Sequence, residues 1–313
     1  MDQENGTPHE SEIIKQVHSG FVAILGRPNV GKSTLINYLV GGKIAITSPK
    51  PQTTRDRIVG VYHGEDLQIA FLDTPGYHDA RKKLNKYMVS AAVSALDEVD
   101  TAVILVDATS KTDETKARYG AVSLIKRAHD QNKPVIVVLN KIDRMKFKPE
   151  LLPLMETFGA MEGVSAVIPV SSVTGDGVDI LLEELKKHLS LGPAYYPDDM
   201  KTDRSSEWIA GELIRETCMM LLAQELPYSL AIHVERVSFK ESGVYVDAFI
   251  YIERDSQKPI VLGKRGAMIK KIGELSRASL TIHFGRKAHL FLQVRVEPEW
   301  TQNARSLKEM GYE

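Results

Sequence analysis

The chain has 313 residues, long for a single compact core, so two domains are the natural expectation. Hydrophobic residues make up 43% and charged residues 26%, the mixture of a soluble globular protein, while a net charge of -1 excludes a globally basic nucleic-acid binder and leaves local patches open. A single cysteine, Cys218, excludes an intrachain disulfide and a cysteine-rich zinc site, which fits a reducing compartment.

Residues 1–18 are polar and acid-leaning, with neither the apolar core of a signal peptide nor an arginine-rich transit character, and are expected to form a disordered lead. No stretch approaches the roughly 18 uninterrupted apolar residues of a membrane span, so any membrane contact is expected to be peripheral. From residue 21, short apolar strands (21–25, 67–73, 101–107, 134–140, 166–171) alternate with helix-like runs (33–40, 84–98, 114–131, 178–189). Continuous apolar strands separated by helices predict a mostly parallel α/β sheet covered on both faces. The run 58–63, joined to 67–73 by Gly64-Glu65-Asp66, reads as a hairpin and predicts one antiparallel edge strand. This first domain is expected over 19–190. Residues 191–204 carry two prolines and a polar, acidic run, and are expected to be a linker. Over 205–313 the order becomes helix, two strands, a glycine-punctuated helical pair, a strand and a closing helix, which predicts a separate α+β domain.

Residues 26–34, Gly26-Arg27-Pro28-Asn29-Val30-Gly31-Lys32-Ser33-Thr34, follow a strand and precede a helix, the setting in which GxxxxGK[ST] binds phosphate. The glycines let backbone N–H groups wrap the phosphates, Lys32 supplies a mobile positive charge, and the Ser33 hydroxyl is a ligand for Mg²⁺. Asp73 ends a strand at the same sheet edge and is followed by Thr74-Pro75-Gly76-Tyr77. Its carboxylate is expected to hold Mg²⁺ directly or through water, and Gly76 to bring its N–H to a terminal phosphate. Asn140-Lys141-Ile142-Asp143 follows another strand. Guanine presents N1–H and its 2-amino group as adjacent donors, which the acceptor-only carboxylate of Asp143 takes together; adenine offers no such pair. Ser171-Ser172-Val173 would offer backbone N–H groups to guanine O6, although the usual pattern there is Ser-Ala-Lys or Ser-Ala-Leu. Between the first helix and the next strand, 47–57 is polar and interrupted by proline, as expected of a loop ordered by a third phosphate and Mg²⁺. Thr54 is the candidate second hydroxyl ligand, with Thr53 the alternative.

A second signal lies at 259–280, where Gly263-Lys264-Arg265-Gly266 is a GXXG loop of the kind that clamps a nucleic-acid backbone in KH domains. From Lys258 to Lys287 there are eight Lys/Arg against one acid, so positive charge is concentrated on this element. Lys264, Arg265, Lys270, Lys271 and Arg277 are expected to contact RNA phosphates, and Ile260, Val261, Met268 and Ile269 to touch bases. Ile272 and Leu275 are expected in the core.

These motifs together resemble the Era family of bacterial GTPases from about residue 19 to the end of the chain. The resemblance implies an α/β P-loop GTPase domain, mostly parallel with one antiparallel edge strand, followed by an α+β type II KH domain. It further implies GTP hydrolysis to GDP, with Lys32, Thr54, Asp73, Gly76 and Asn29 in the catalytic machinery, and a KH domain bound near the 3′ end of small-subunit ribosomal RNA during assembly of the small ribosomal subunit. A monomeric cytoplasmic protein with some peripheral association with the cell membrane is also implied. Ras-like enzymes place a glutamine after the DxxG glycine to orient the attacking water, and here that residue is Tyr77. In related GTPases with an aromatic or hydrophobic residue there, a K⁺ ion held partly by the phosphate-loop asparagine stabilises charge between the phosphates, and Asn29 matches that asparagine.

Overall fold

The computed structural model describes residues 16–48, 50, 53, 55, 57–73, 95–110, 114–223 and 226–303. Thr54, residues 74–77, most of the helix expected at 84–98 and the closing helix lie outside them.

The first domain is built on a seven-stranded sheet. Its strands are β1 (Gln16–Gly26), β2 (Ile58–His63), β3 (Leu67–Asp73), β4 (Thr101–Asp107), β5 (Val135–Asn140), β6 (Val164–Val170) and β7 (Ser190–Pro193). The order β2-β3-β1-β4-β5-β6 is parallel except for edge strand β2, which runs antiparallel to β3 as the hairpin reading requires. β1 begins three residues earlier than the expected domain start, because Gln16–Ser19 pair with β7 in the space beside β1 that β4 does not reach.

Alternate residues of β1 enter opposite layers. Val22 and Ile24 pack with helix α1 (Lys32–Val40) and helix α4 (Val178–Lys186); Ala23 and Leu25 pack with helix α2 (Glu114–Asp130) and helix α3 (Leu151–Gly159). This two-sided burial is why the strands read as continuous apolar runs. Helix α3 carries a proline, Pro153, inside its bounds. Proline is tolerated there because it lies in the first turn, where backbone N–H groups have no intrahelical partner.

The expected linker is a structured strap. After β7, Gln68 Nε2 donates to the Tyr196 carbonyl at 2.7 Å and its Oε1 accepts from the Tyr195 and Tyr196 amides. Further along, Val61 N donates to Lys201 O at 2.9 Å and His63 Nε2 donates to Met200 O at 2.8 Å. The polar composition that suggested a loop thus covers the open edge of β2, a row of backbone groups that would otherwise template pairing.

The second domain starts with helix α5 (Ser206–Leu221), whose N-cap Ser205 Oγ accepts from Trp208 N at 3.3 Å. Strands β8 (Leu230–Lys240), β9 (Gly243–Ile252) and β10 (Ala288–Val296) form a sheet in the order β10-β9-β8, with β8 antiparallel and β10 parallel to β9. Helices α6 (Lys258–Leu262) and α7 (Ala267–Phe284) connect β9 to β10. Even-numbered residues of β9, Val244 to Ile252, form one core with α5, Val261, Ile272 and Leu280, so the odd-numbered residues face away from the helices.

The two domains meet through Lys43, Thr47, Lys50, Thr53 and Arg55. Arg55 is 2% exposed and donates to Leu230 O at 2.8 Å and Pro227 O at 3.0 Å. Thr47 N donates to Glu216 Oε1 at 3.0 Å, Lys43 pairs with Glu216, and Arg215 donates to the Thr53 carbonyl.

Candidate nucleotide and nucleic-acid sites

At the carboxyl edge of the first sheet, the phosphate loop, Ile46, Thr47, Ser48 and Thr53, the 140–144 loop and Ser172-Val173 enclose a cavity of about 470 Å³, within the range of pockets that bury a small ligand. The expected phosphate and base residues therefore converge. Gly31 has φ +105, and a Cβ there would stand 2.2 Å from Asn140 Nδ2. Only glycine lets the phosphate loop press against the base loop.

Lys32 is 6% exposed, and its Nζ donates to the Gly26 and Arg27 carbonyls at 3.1 Å each. Burial pushes its pKa down to about 8, with the Asp73 carboxylate acting in the opposite direction. Ser33 Oγ donates to Asp73 Oδ2 at 2.8 Å, so the hydroxyl and carboxylate expected to bracket Mg²⁺ face one another. These are hard oxygen donors, and a site with so few of them suits an ion that takes its remaining ligands from phosphate and water. Among the described residues no cluster of three or more His, Cys, Asp or Glu forms a metal cage. Thr53 lines the cavity, and its hydroxyl donates to Lys50 O at 2.7 Å.

The base loop is held from several sides. Asn140 Nδ2 donates to Val30 O at 2.7 Å, while its Oδ1 accepts from Ser172 N at 3.0 Å and Ser172 Oγ at 2.9 Å. Ser172 is the residue that departs from the usual alanine, and here its hydroxyl adds a bond to Asn140. Ser171 Oγ donates to Asp143 Oδ1 at 2.8 Å, aiming the carboxylate. Lys141, at φ +70, sends Nζ to Asn29 O and to Asp107 Oδ2, both at 2.6 Å. Burial raises the Asp107 carboxyl, but hydrogen bonds from Lys141 and Thr109 outweigh it and hold the group below its ordinary value. Sequence reasoning missed Asp107, although it ends β4 at the sheet edge as Asp73 ends β3. Val30 and Ile142 are buried supports of this site, whereas Val173 is 65% exposed at its rim.

In the second domain, Lys264 and Arg265 are exposed between Gly263 and Gly266, with Lys270 and Lys271 exposed on the following helix. Arg265 has φ +53 and Gly266 φ +78, and space is open around Gly266, so the backbone there is approachable. Ile260 is 52% exposed, while Met268, Ile269 and Arg277 are half-buried. Two expectations need correction. Val261 is fully buried, because the short helix α6 turns its neighbour Ile260 outward and Val261 into the core, so Val261 supports the groove from beneath. Leu275 is 42% exposed rather than in the core; Ile272 takes the core position.

Fold and site together define a P-loop guanine-nucleotide-binding protein with an appended KH domain. Two family models match, one described as "50S ribosome-binding GTPase" over residues 21–141 and one as "KH domain" over 225–301. The chain is 45% identical over 302 residues to GTPase Era of Geotalea uraniireducens (96% of this chain, 99% of that one), and 44% identical over 300 residues to GTPase Era of Lacticaseibacillus paracasei (96% and 98%). It belongs to the GTPase Era family. Two solved Era structures superpose along nearly the whole chain, each 36% identical and covering 95% of this chain and 99% of its own. One is an Aquifex aeolicus Era variant bound to GDP·AlF4⁻ (TM-score 0.88), and the other an Era in complex with MgGDPNP and nucleotides 1506–1542 of 16S ribosomal RNA (TM-score 0.85).

Proposed function

We infer that this protein is a GTP-hydrolysing switch whose KH domain binds small-subunit ribosomal RNA near its 3′ end and assists assembly of the small ribosomal subunit. The observation that carries this reading is the single cavity in which Ser171-held Asp143 and Asn140 meet Lys32 and Ser33. A guanine read at one end is thereby fixed relative to phosphates held at the other. The RNA half is supported by the exposed GXXG loop and by the complex of the related Era with 16S ribosomal RNA.

In the reaction, water attacks the terminal phosphorus of GTP and releases GDP and phosphate, so the protein's work is positioning and charge stabilisation. Lys32 sits to neutralise the outer phosphates. Ser33, Asp73 (through water) and Thr54 or Thr53 would hold Mg²⁺, which when bound offsets charge on the β and γ phosphates. Gly76 offers its N–H to the terminal phosphate, and Tyr77 replaces the water-orienting glutamine. Asn29, whose carbonyl Lys141 ties to the base loop, is the side chain we assign to K⁺, so turnover is slow and K⁺-stimulated. Equal GTP turnover in KCl and NaCl at matched ionic strength, with Asn29→Ala as control, would remove K⁺ from the mechanism. Tyr77→Ala with near-normal turnover would fit a ring directed away from the water.

The same reading has the protein acting as a cytoplasmic monomer with peripheral contact at the cytoplasmic membrane face. Among the described residues no helix is long and apolar enough to cross a membrane; vesicle flotation tests the peripheral contact. The decisive experiment is crosslinking of bound RNA in the GTP and GDP states, together with single-turnover hydrolysis with and without that RNA. A rate and a crosslink pattern indifferent to each other's ligand would reject a coupled switch.

A further inference from the structure

Tyr38 stands in α1, the helix that follows the phosphate loop, yet its ring is not part of the core. It is 45% exposed, and among the described residues both apolar layers of the first domain are built without it. The ring is laid instead on a loop far away in sequence. A Cβ on Gly175 would stand 1.8 Å from the Tyr38 hydroxyl oxygen, 2.3 Å from its Cζ and 3.0 Å from its Cε2. The ring edge therefore rests on the bare backbone of Gly175, at φ +88, where no other residue type would leave room for it.

Gly175 closes the loop that faces the base. Its N–H donates to Ser171 O at 2.9 Å and the Ser171 N–H donates to Asp176 O at 2.9 Å, so residues 171–176 are closed on themselves. Within that loop Ser171 Oγ accepts from Thr174 N at 3.1 Å while donating to Asp143, and Ser172 is fixed to Asn140. A shift of Gly175 thus moves two things together: the backbone offered to guanine O6 and the serine that aims Asp143. The phosphate loop and its helix bear on the base loops at two points. Gly31 presses on Asn140, and Tyr38, about 9 Å along α1 from Lys32, presses on Gly175.

We propose that Tyr38 is a positioning residue for base recognition: its ring props the 171–176 loop at a fixed distance from the phosphates, so that the loop fits an oxygen at position 6 of the purine. This rests on the guanine reading above. Tyr38 does not line the nucleotide cavity and acts through Gly175. A loop held in this way resists the larger sulfur of 6-thioguanine, whereas Asp143 meets the same N1–H and 2-amino donors in both bases.

The test titrates the full chain calorimetrically with GDP, 6-thio-GDP and ADP. Sulfur is larger than oxygen and a poorer acceptor, so wild type is expected to prefer GDP over 6-thio-GDP by about tenfold, the worth of one good hydrogen bond. Tyr38→Ala is expected to weaken GDP by about three- to tenfold and 6-thio-GDP by less than about two-fold, so that the preference collapses. Tyr38→Phe keeps the ring and is expected to bind both as wild type does. Gly175→Ala drives a methyl group into the ring and weakens GDP; adding Tyr38→Ala to it causes no further loss, because the contact is already broken. Thermal unfolding without nucleotide reports whether each variant is folded. Equal weakening of both nucleotides by Tyr38→Ala overturns the proposal, since a general loosening of the domain does not distinguish oxygen from sulfur. Additive losses in the double variant overturn it too, as does Tyr38→Phe behaving like Tyr38→Ala. Equal affinity of wild type for GDP and 6-thio-GDP would reject the loop as the O6 contact and the proposal with it. GDP bound no more tightly than ADP would instead reject the guanine reading itself.

Discussion

Asp143 and Asn140 do different work. Asp143 is aimed by Ser171 and offers acceptors to guanine, so Asp143→Asn replaces one acceptor by a donor facing guanine's own donors. The expected result is a loss of GDP affinity of at least about 100-fold, two hydrogen bonds to a charged group being at stake, with partial recovery for xanthosine diphosphate, measured by calorimetric titration. Asp107 acts one step back, through Lys141. Asp107→Asn is expected to speed GDP release by about three- to ten-fold, in keeping with a partly buried ion pair, read from the decay of a fluorescent GDP analogue. The pH sign follows from the depressed carboxyl. The contact is fully present above the ordinary aspartate value near 4 and is lost as pH falls through the lower folded-state value, so the ratio of the Asp107→Asn to the wild-type release rate is flat from pH 6 to 8 and shrinks only in acid.

Two glycines of one loop have opposite reasons to be glycine. At Gly263, φ +72 and ψ 172, a Cβ would lie 2.6 Å from Met268 Cβ and 2.7 Å from Met268 N. Gly263→Ala is expected to destabilise the KH domain by about 2–4 kcal/mol, from strain in a region open almost only to glycine plus the clash. Gly266 has open space, so Gly266→Ala bears only the left-handed penalty of about 1–2 kcal/mol, and urea unfolding separates the two. Helix α5 holds Cys218 fully buried, and burial pushes its thiol up to about 12. Alkylation at pH 8 is therefore expected only through unfolding, with a rate that rises with urea in step with loss of helical signal.

At the scale of the molecule, the loop between α1 and β2 belongs to both domains. It lines the nucleotide cavity through Thr47 and Thr53, and those same residues bond to Glu216 and Arg215 of α5. Arg55→Ala strips donors from two buried carbonyls and is expected to lower stability by about 2–4 kcal/mol. Glu216→Gln keeps the shape but removes the charge facing Lys43. It is expected to change the RNA dependence of GTP turnover while leaving GDP affinity within about two-fold, measured by single-turnover hydrolysis; unchanged RNA dependence would mean that the contact is only structural.

The sequence by itself determined the parallel sheet, the phosphate and base motifs and the KH order, because each rests on local rules: apolar runs for strands buried on both faces, and glycine, lysine and carboxylate at fixed spacing for phosphate and guanine. It did not reveal α3 or the bonds of the 191–204 linker to β2 and β3, and it misplaced Val261 and Leu275, because these depend on which side of an element meets a neighbour. Only the tertiary structure decided that Asp107 anchors Lys141, that Ser172 bonds to Asn140, that Arg55 is sealed beneath the second domain, and that the Tyr38 ring rests on Gly175. Those partners lie tens to more than a hundred residues apart, and no local pattern encodes which distant carbonyl or ring a side chain will meet once the layers close.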